Sequence, residues 1–256
     1  MVPTRHAIEI GQLVCDGMLM VDQGLSRAAQ FDPHSDPAQF RLLMSDAGEM
    51  TFLPWLMRML AVQAPNVDIE IVQLPAQEHA EALESGGADL YVGNLARLRG
   101  TQYRLKLFDD HLVILCRRDH PWVSTPPSVR DYVNTRHIVV RPPSAAGLEV
   151  EDLLALHGVR RRPLILPHFL SLLLILPDTD DISTVTQSLA EILVQRAPLA
   201  FVPLPIASPV LSFGLAWHRR QHLEPQNVWL RKLFASARWH TAGEDRARAF
   251  GCSTSE

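Results

Sequence analysis

The sequence predicts an α/β fold of two Rossmann-like subdomains joined by a double crossover and preceded by a long linker helix. Three observations carry this expectation. Short apolar runs alternate with helical spacings over residues 39–94 and again over 136–194. Two such βα series imply parallel strands with right-handed crossovers. Two further apolar runs, near 109–116 and 208–217, join the series. Ahead of both, Ala7, Ile10, Val14, Met18, Val21, Leu25 and Ala28 recur three and four apart, a heptad-like seam.

The chain has 256 residues, enough to bury a sizeable core in one large or two small domains. Hydrophobic residues make up 47% and charged residues 20%, which excludes a disordered chain. A formal net charge of -4 argues against a nucleic-acid-binding surface spread over these residues. The cysteines Cys15, Cys116 and Cys252 are far apart and odd in number, which points to a reducing, cytoplasmic setting rather than a disulfide framework. The start lacks the uninterrupted apolar run of a signal peptide, and the apolar run 169–177 is too short to span a bilayer.

Taken in order, residues 1–30 read as a helix whose seam packs either on its own domain or, the favoured reading, on a partner copy through Ile10, Val14, Met18, Val21 and Leu25. Residues 31–38, with Pro33, Pro37 and two aspartates, read as a hinge. The apolar run 39–45 is a buried strand, and Leu53, Leu56, Met57 and Leu60 begin a helix. Pro54 fits that helix only in its first turn, where a missing N–H costs nothing. A strand at 67–73, a helix at 77–85 and a strand at 88–93 complete the first series. Strands at 103–108 and 112–116 follow, then a short helix at 128–133 and a strand from 136 to 140. A helix at 147–157 stops at Gly158, residues 163–166 form a strand, and 169–176 form a buried helix. A strand at 181–185 feeds a helix at 187–194. Strands at 199–202 and 210–217 and an amphipathic helix at 226–237 close the fold, and the small, charged tail 241–256 is expected to be disordered. On this reading one subdomain takes residues 39–110 and 216–240, and the other takes 111–215.

The chemistry-bearing patterns exclude more than they assign. No Gly-x-Ser-x-Gly, His-Glu-x-x-His, Walker loop or Gly-x-Gly-x-x-Gly is present. His218 and His222 have no Cys or acidic partner at ligand spacing, so they read as solvated, and Asp109-Asp110-His111 reads as a turn between strands. Neither an enzyme, a metal site nor a cofactor is expected. The polar residues that count are those at strand ends, where ligands of such folds sit. Ser45, Asp46 and Thr51 open the first helix and Phe52 supplies an aromatic wall; the turn is either an anion site or an ordinary βα turn that binds nothing. Gly93 and Asn94 end the third strand. From the second series come His111, Ser144 at a helix start, His168 and Phe169, and Thr184 and Thr186 at a strand end. His168 is by itself either a core histidine bonded to backbone or a ligand contact.

Phe40 to Gly48 followed by Phe52-Leu53-Pro54 resembles the opening of the effector-binding domain of LysR-type transcriptional regulators, in the branch that answers aromatic acids and related inducers. The segments 84–90, 117–121, 167–169 and 229–231 resemble the family in the same order. The resemblance implies a type 2 periplasmic-binding-protein-like fold. It implies a small-molecule effector in the inter-subdomain cleft, self-association as a dimer or tetramer, and control of transcription. It implies that Pro167-His168-Phe169 lines the cavity. Met1 to Ala7 resembles the end of the family's DNA-binding wing, so DNA contact is expected only through a helix-turn-helix upstream of residue 1, with no membrane involved. Two departures stand out. Thr186 replaces a usual proline, and Asp110 occupies a place where the branch has a pocket histidine, with His111 one position late. A carboxylate there disfavours an anionic effector unless it is protonated or turned away. The competing class is a free-standing solute-binding protein of the same fold.

Overall fold

The computed structural model describes residues 4, 10, 13–18, 20, 30–98, 100, 102–143, 155–158 and 164–239. Two α/β lobes share them. The first is a five-stranded sheet of β1 (Ala38–Leu43), β2 (Val67–Val72), β3 (Leu90–Asn94), β4 (Tyr103–Asp110) and β10 (Leu211–Trp217), in the order β2-β1-β3-β10-β4. Strand β1 runs parallel to β2 and β3, whereas β10 is antiparallel to β3 and β4. Phe40, Leu42 and Leu43 are buried at 1% exposure or less, because β1 is covered on both faces as central parallel strands are. Helices α1 (Asp46–Gln63) and α2 (His79–Ser85) make the crossovers, and α6 (Pro225–Ser236) packs Leu230 and Phe234 into the same core.

Helix α1 corrects the expectation for Pro54, which lies eight residues past the helix start rather than in the first turn. An interior proline costs about 3 kcal/mol. Phe52, Leu56 and Leu60, spaced four apart, are buried beneath the same helix, and each full burial contributes roughly 1.5–3 kcal/mol. Three such burials outweigh one proline. The ring sits on the exposed face, where water can reach the carbonyl it leaves unpaired.

The second lobe holds β5 (Leu112–Arg117) between β8 (Ser183–Thr186) and β9 (Leu199–Pro203), both antiparallel to it. A parallel bridge from His137 to Ile182 attaches the pair β6 (Ile138–Val140) and β7 (Leu164–Leu166). Helices α3 (Val129–Asn134), α4 (Leu172–Ile175) and α5 (Gln187–Leu193) flank these strands. The expected buried helix at 169–176 is a 3-10 turn, one turn of α4 and a second 3-10 turn. Only its Leu172–Leu176 face is buried; Leu170 and Leu174 are exposed, so the apolar run is one-sided. The return crossover also falls earlier than the sequence placed it. All of β10 pairs in the first sheet, so the chain changes lobes between Pro203 and Leu211 rather than at 215–216. An apolar run spells a strand without saying which sheet adopts it.

Residues 10, 13–18 and 20 of the N-terminal segment are helical, and Ile10, Val14 and Met18 are exposed there. Val21, Leu25, most of the expected 147–157 helix and the tail 241–256 lie outside the described residues. The 31–38 stretch is a folded turn rather than a bare linker. Asp32 and Asp36 exchange hydrogen bonds across it, and Phe31 packs edge-on against Trp229 at 5.5 Å.

Candidate functional site

A cavity of about 130 Å³ opens between the lobes. That is close to the roughly 150 Å³ of an apolar cavity that takes up benzene. The first lobe contributes the end of β1 and the first two turns of α1, with Met44, Ser45, Gly48, Thr51 and Phe52 in the wall. Ser45 is the N-cap of α1; its hydroxyl accepts from Gly48 N–H at 3.3 Å, and its own proton stays available to a ligand. A Cβ at Gly48 would come within 3.1 Å of Met44 Cβ, so the tight turn into the helix favours glycine. Phe52 packs against Phe108 and Phe234 and presents a fixed aromatic surface.

Strand β3 adds Tyr91, Val92, Gly93 and Asn94. The Tyr91 hydroxyl donates to Asn94 O at 3.0 Å and lies over Gly93, where a Cβ would sit 2.7 Å from it. The close approach that glycine permits is therefore by a side chain of the protein itself. Asn94 Oδ1 accepts from Ala96 N–H at 3.1 Å and caps the turn after the strand.

From the second lobe come Val140, Phe169, Thr184, Thr186, Ser188 and Leu189. Thr184 shares a 2.8 Å hydrogen bond with the Tyr132 hydroxyl, whose burial pushes its pKa up to about 12 and keeps it protonated. Thr186 is the residue before α5 and makes no side-chain cap.

The structure thus brings Ser45, Thr51, Phe52, Gly93, Asn94, Phe169, Thr184 and Thr186 to one cavity, and leaves three expected residues off its wall. The Asp46 carboxylate is drawn across the lobe boundary, where Oδ2 accepts from Phe169 N–H at 2.6 Å; burial pushes its pKa up. His168 stands in extended backbone before the 3-10 turn that Phe169 opens, with its side chain 55% exposed and 4.0 Å from Asp46. The His111 side chain lines a separate depression with Phe201 and Ile206. Ser144 lies outside the described residues.

Asp110, the departure from the family pattern, does not line the cavity. Its buried carboxylate accepts from Ser188 N–H at 3.3 Å and His111 N–H at 2.8 Å, closing the start of α5.

Sequence reasoning missed His79, Tyr91 and Ser188. His79 is 1% exposed, and its Nε2 hydrogen-bonds Leu74 O at 3.0 Å; burial lowers its pKa. The available signal was a histidine on the buried face of α2, three and four residues before the buried Ala82 and Leu83. Among the described residues no group of three His, Cys, Asp or Glu could hold a metal ion, and no helix is long and apolar enough to cross a membrane.

The chain is similar to known proteins over most of its length. A family profile described as "LysR substrate binding domain" matches residues 34–238. The chain is 34% identical to the HTH-type transcriptional activator NagR of Ralstonia sp over 235 residues, 91% of this chain and 78% of that protein. It is 34% identical over 234 residues to the HTH-type transcriptional activator NahR of Pseudomonas putida, again 91% and 78% of the two chains. Among solved structures, a probable transcriptional regulator from Pseudomonas aeruginosa superposes with a TM-score of 0.73 at 29% identity, covering 91% of this chain and 78% of that one. The regulatory domain of MexT, a transcriptional activator in Pseudomonas aeruginosa, superposes with a TM-score of 0.67 at 25% identity, covering 78% and 98%.

Proposed function

The chain belongs to the LysR substrate-binding-domain family of transcriptional regulators, and from that premise we propose that its inter-lobe cavity binds an aromatic acid or related small effector. The observation that carries this reading is an apolar cavity of ring size with the Ser45-capped start of an 18-residue helix in its wall. A helix start stabilises a carboxylate through its dipole and its outward N–H groups, and Phe52 and Phe169 supply the flat apolar surface. The Asp46 to Phe169 hydrogen bond already links the lobes. An effector touching both shifts the population toward one inter-lobe arrangement, and no chemistry on the effector is required. Self-association, with the exposed Ile10, Val14 and Met18 as candidate contacts, and DNA contact through an attached helix-turn-helix complete the reading. The relatives named above are regulators, which does not favour a free-standing solute-binding role.

A thermal-shift screen of benzoic acid, phenol and short aliphatic acids tests the site. An aromatic acid should raise the melting temperature by mass action, and Phe169→Ala should reduce that shift. An equal shift in the variant places binding elsewhere.

A further inference from the structure

Away from the two crossovers, the lobes meet again where α1 begins. Ala47 and Met50 of its first turns pack against the core of the second lobe. Beside them the Asp46 side chain, 13% exposed, crosses the boundary, and its Oδ2 accepts from Phe169 N–H at 2.6 Å. Its Oδ1 is buried, and among the described residues it has no hydrogen-bond partner. An ionised Asp46 therefore carries charge on an oxygen that neither water nor a donor reaches. The groups facing it do not cancel that cost. Glu49, in the same first turn, opposes the charge and is itself held by Gln73 Nε2 at 2.6 Å. His168 reaches from the second lobe to 4.0 Å, but it is 55% exposed, so water screens its attraction even when the ring is protonated. Helix α5, packed against α1, brings Glu191, which accepts from Gln187 Nε2 at 3.1 Å. The N–H groups of Phe169 and Ala47 favour the ionised form, yet burial outweighs them and pushes the Asp46 pKa up.

That cost belongs to the contact between the lobes. Parting them removes Phe169 from Asp46 and returns the carboxylate to water, where the ionised form is stable. A proton on Asp46 removes the buried charge while the other oxygen still accepts from Phe169 N–H. A neutral hydroxyl without a partner costs less to bury than a charge without one. The arrangement seen here thus holds the proton more tightly than an open one, and by linkage a fall in pH favours it.

We propose that Asp46 is a proton-operated clasp between the lobes: neutral, it lets the cleft close over it, and ionised, it biases the cleft toward opening. The clasp acts with the cavity empty, so the inference does not rest on the effector reading. It adds a consequence to that reading. Any ligand that closes the lobes takes up protons as it binds, and it binds more tightly as pH falls through the range in which Asp46 titrates.

The test reads the distance between the lobes in the whole chain, with no effector, as pH is lowered from neutrality. Spin labels go on Glu84→Cys in the first lobe and Thr125→Cys in the second, both exposed positions, in a Cys15→Ser, Cys252→Ser background. Labelled protein is diluted into excess unlabelled chain, so that only distances within one chain are read. The population at the distance of the arrangement seen here should grow relative to all others as pH falls, by at most about tenfold per pH unit, the limit for one proton. Asp46→Asn, which cannot ionise, should hold that distance at every pH, and His168→Gln should keep the wild-type slope. Carbon-13 spectra of the wild type supply a readout that needs no variant. The Asp46 carboxyl should titrate above the ordinary 3.8, and the Phe169 amide should shift with it. A distance distribution that ignores pH, a slope that survives in Asp46→Asn or vanishes in His168→Gln, or an Asp46 carboxyl that titrates at or below 3.8 overturns the inference and leaves the cavity reading intact.

Discussion

Two helices begin at the cleft, α1 in the first lobe and α5 in the second, and different groups close their starts. The start of α1 is capped by the neutral Ser45 hydroxyl. Two acids stand in its first turn, Asp46 and Glu49, and Asp46 spends its Oδ2 on Phe169 N–H across the lobe boundary. The start of α5 is closed from within by the buried Asp110 carboxylate. The first start is closed by a hydroxyl, which can also donate, and the second by a carboxylate, which can only accept. On the proposed function, that difference puts the effector's acid group at the first lobe. It leaves the second lobe to contribute hydroxyls from Thr184 and Thr186 and the apolar surface of Phe169 and Leu189.

The largest effect should come from Asp110→Ala. It leaves the buried Ser188 N–H and the His111 N–H without their acceptor, which should cost about 2–3 kcal/mol of stability in urea unfolding. A loss under about 0.5 kcal/mol would mean that the carboxylate does not hold the α5 start, and the contrast between the two helices would fail.

Ser45→Ala should cost less, about 1 kcal/mol, because the lost cap bond is long at 3.3 Å. It should also weaken benzoic acid roughly five- to tenfold in a calorimetric titration, while Thr186→Val weakens it less. A larger loss in the Thr186 variant would place the acid group on the second lobe.

The smallest effect is the pH dependence of Asp46. Burial raises its pKa above the ordinary 3.8, so the folded state holds the proton more tightly than the unfolded chain. The stability this contributes is fully present below 3.8 and is lost as pH rises through the raised folded value. Asp46→Asn keeps an oxygen for Phe169 N–H and cannot ionise. Relative to wild type, the variant should therefore gain stability as pH rises from 3.8 upward. Parallel stability curves for the two proteins would show that Asp46 is not desolvated at the lobe boundary.

The first lobe was easier to read than the second for a physical reason. In residues 38–63 every local signal agrees, with an apolar strand, a Ser cap and buried residues four apart, so local preference and tertiary burial point the same way. Pro54 was the exception, since a proline rule speaks for the backbone and not for the three apolar side chains buried beneath it. In the second lobe the elements are short, and the run 169–176 carried too many leucines to reveal that only one face is buried. Pro167-His168-Phe169 shows the limit of motif reading: Phe169 reaches the cavity, whereas the His168 side chain is 55% exposed and off its wall.

Taken alone, the sequence determined the α/β class, the order of elements, the strand ends that face the cleft and the family to which the chain belongs. Those features follow from periodicity, caps and spelling, which act over a few residues. Tertiary structure alone decided the lobe that receives β10, the partners of the Asp110 carboxylate and the Asp46 to Phe169 link. Each depends on partners far apart in the chain, 78 residues for Asp110 with Ser188 and 123 for Asp46 with Phe169. Hydrogen-bond partners and buried polar atoms exist only once those segments have met, and no local pattern encodes the meeting.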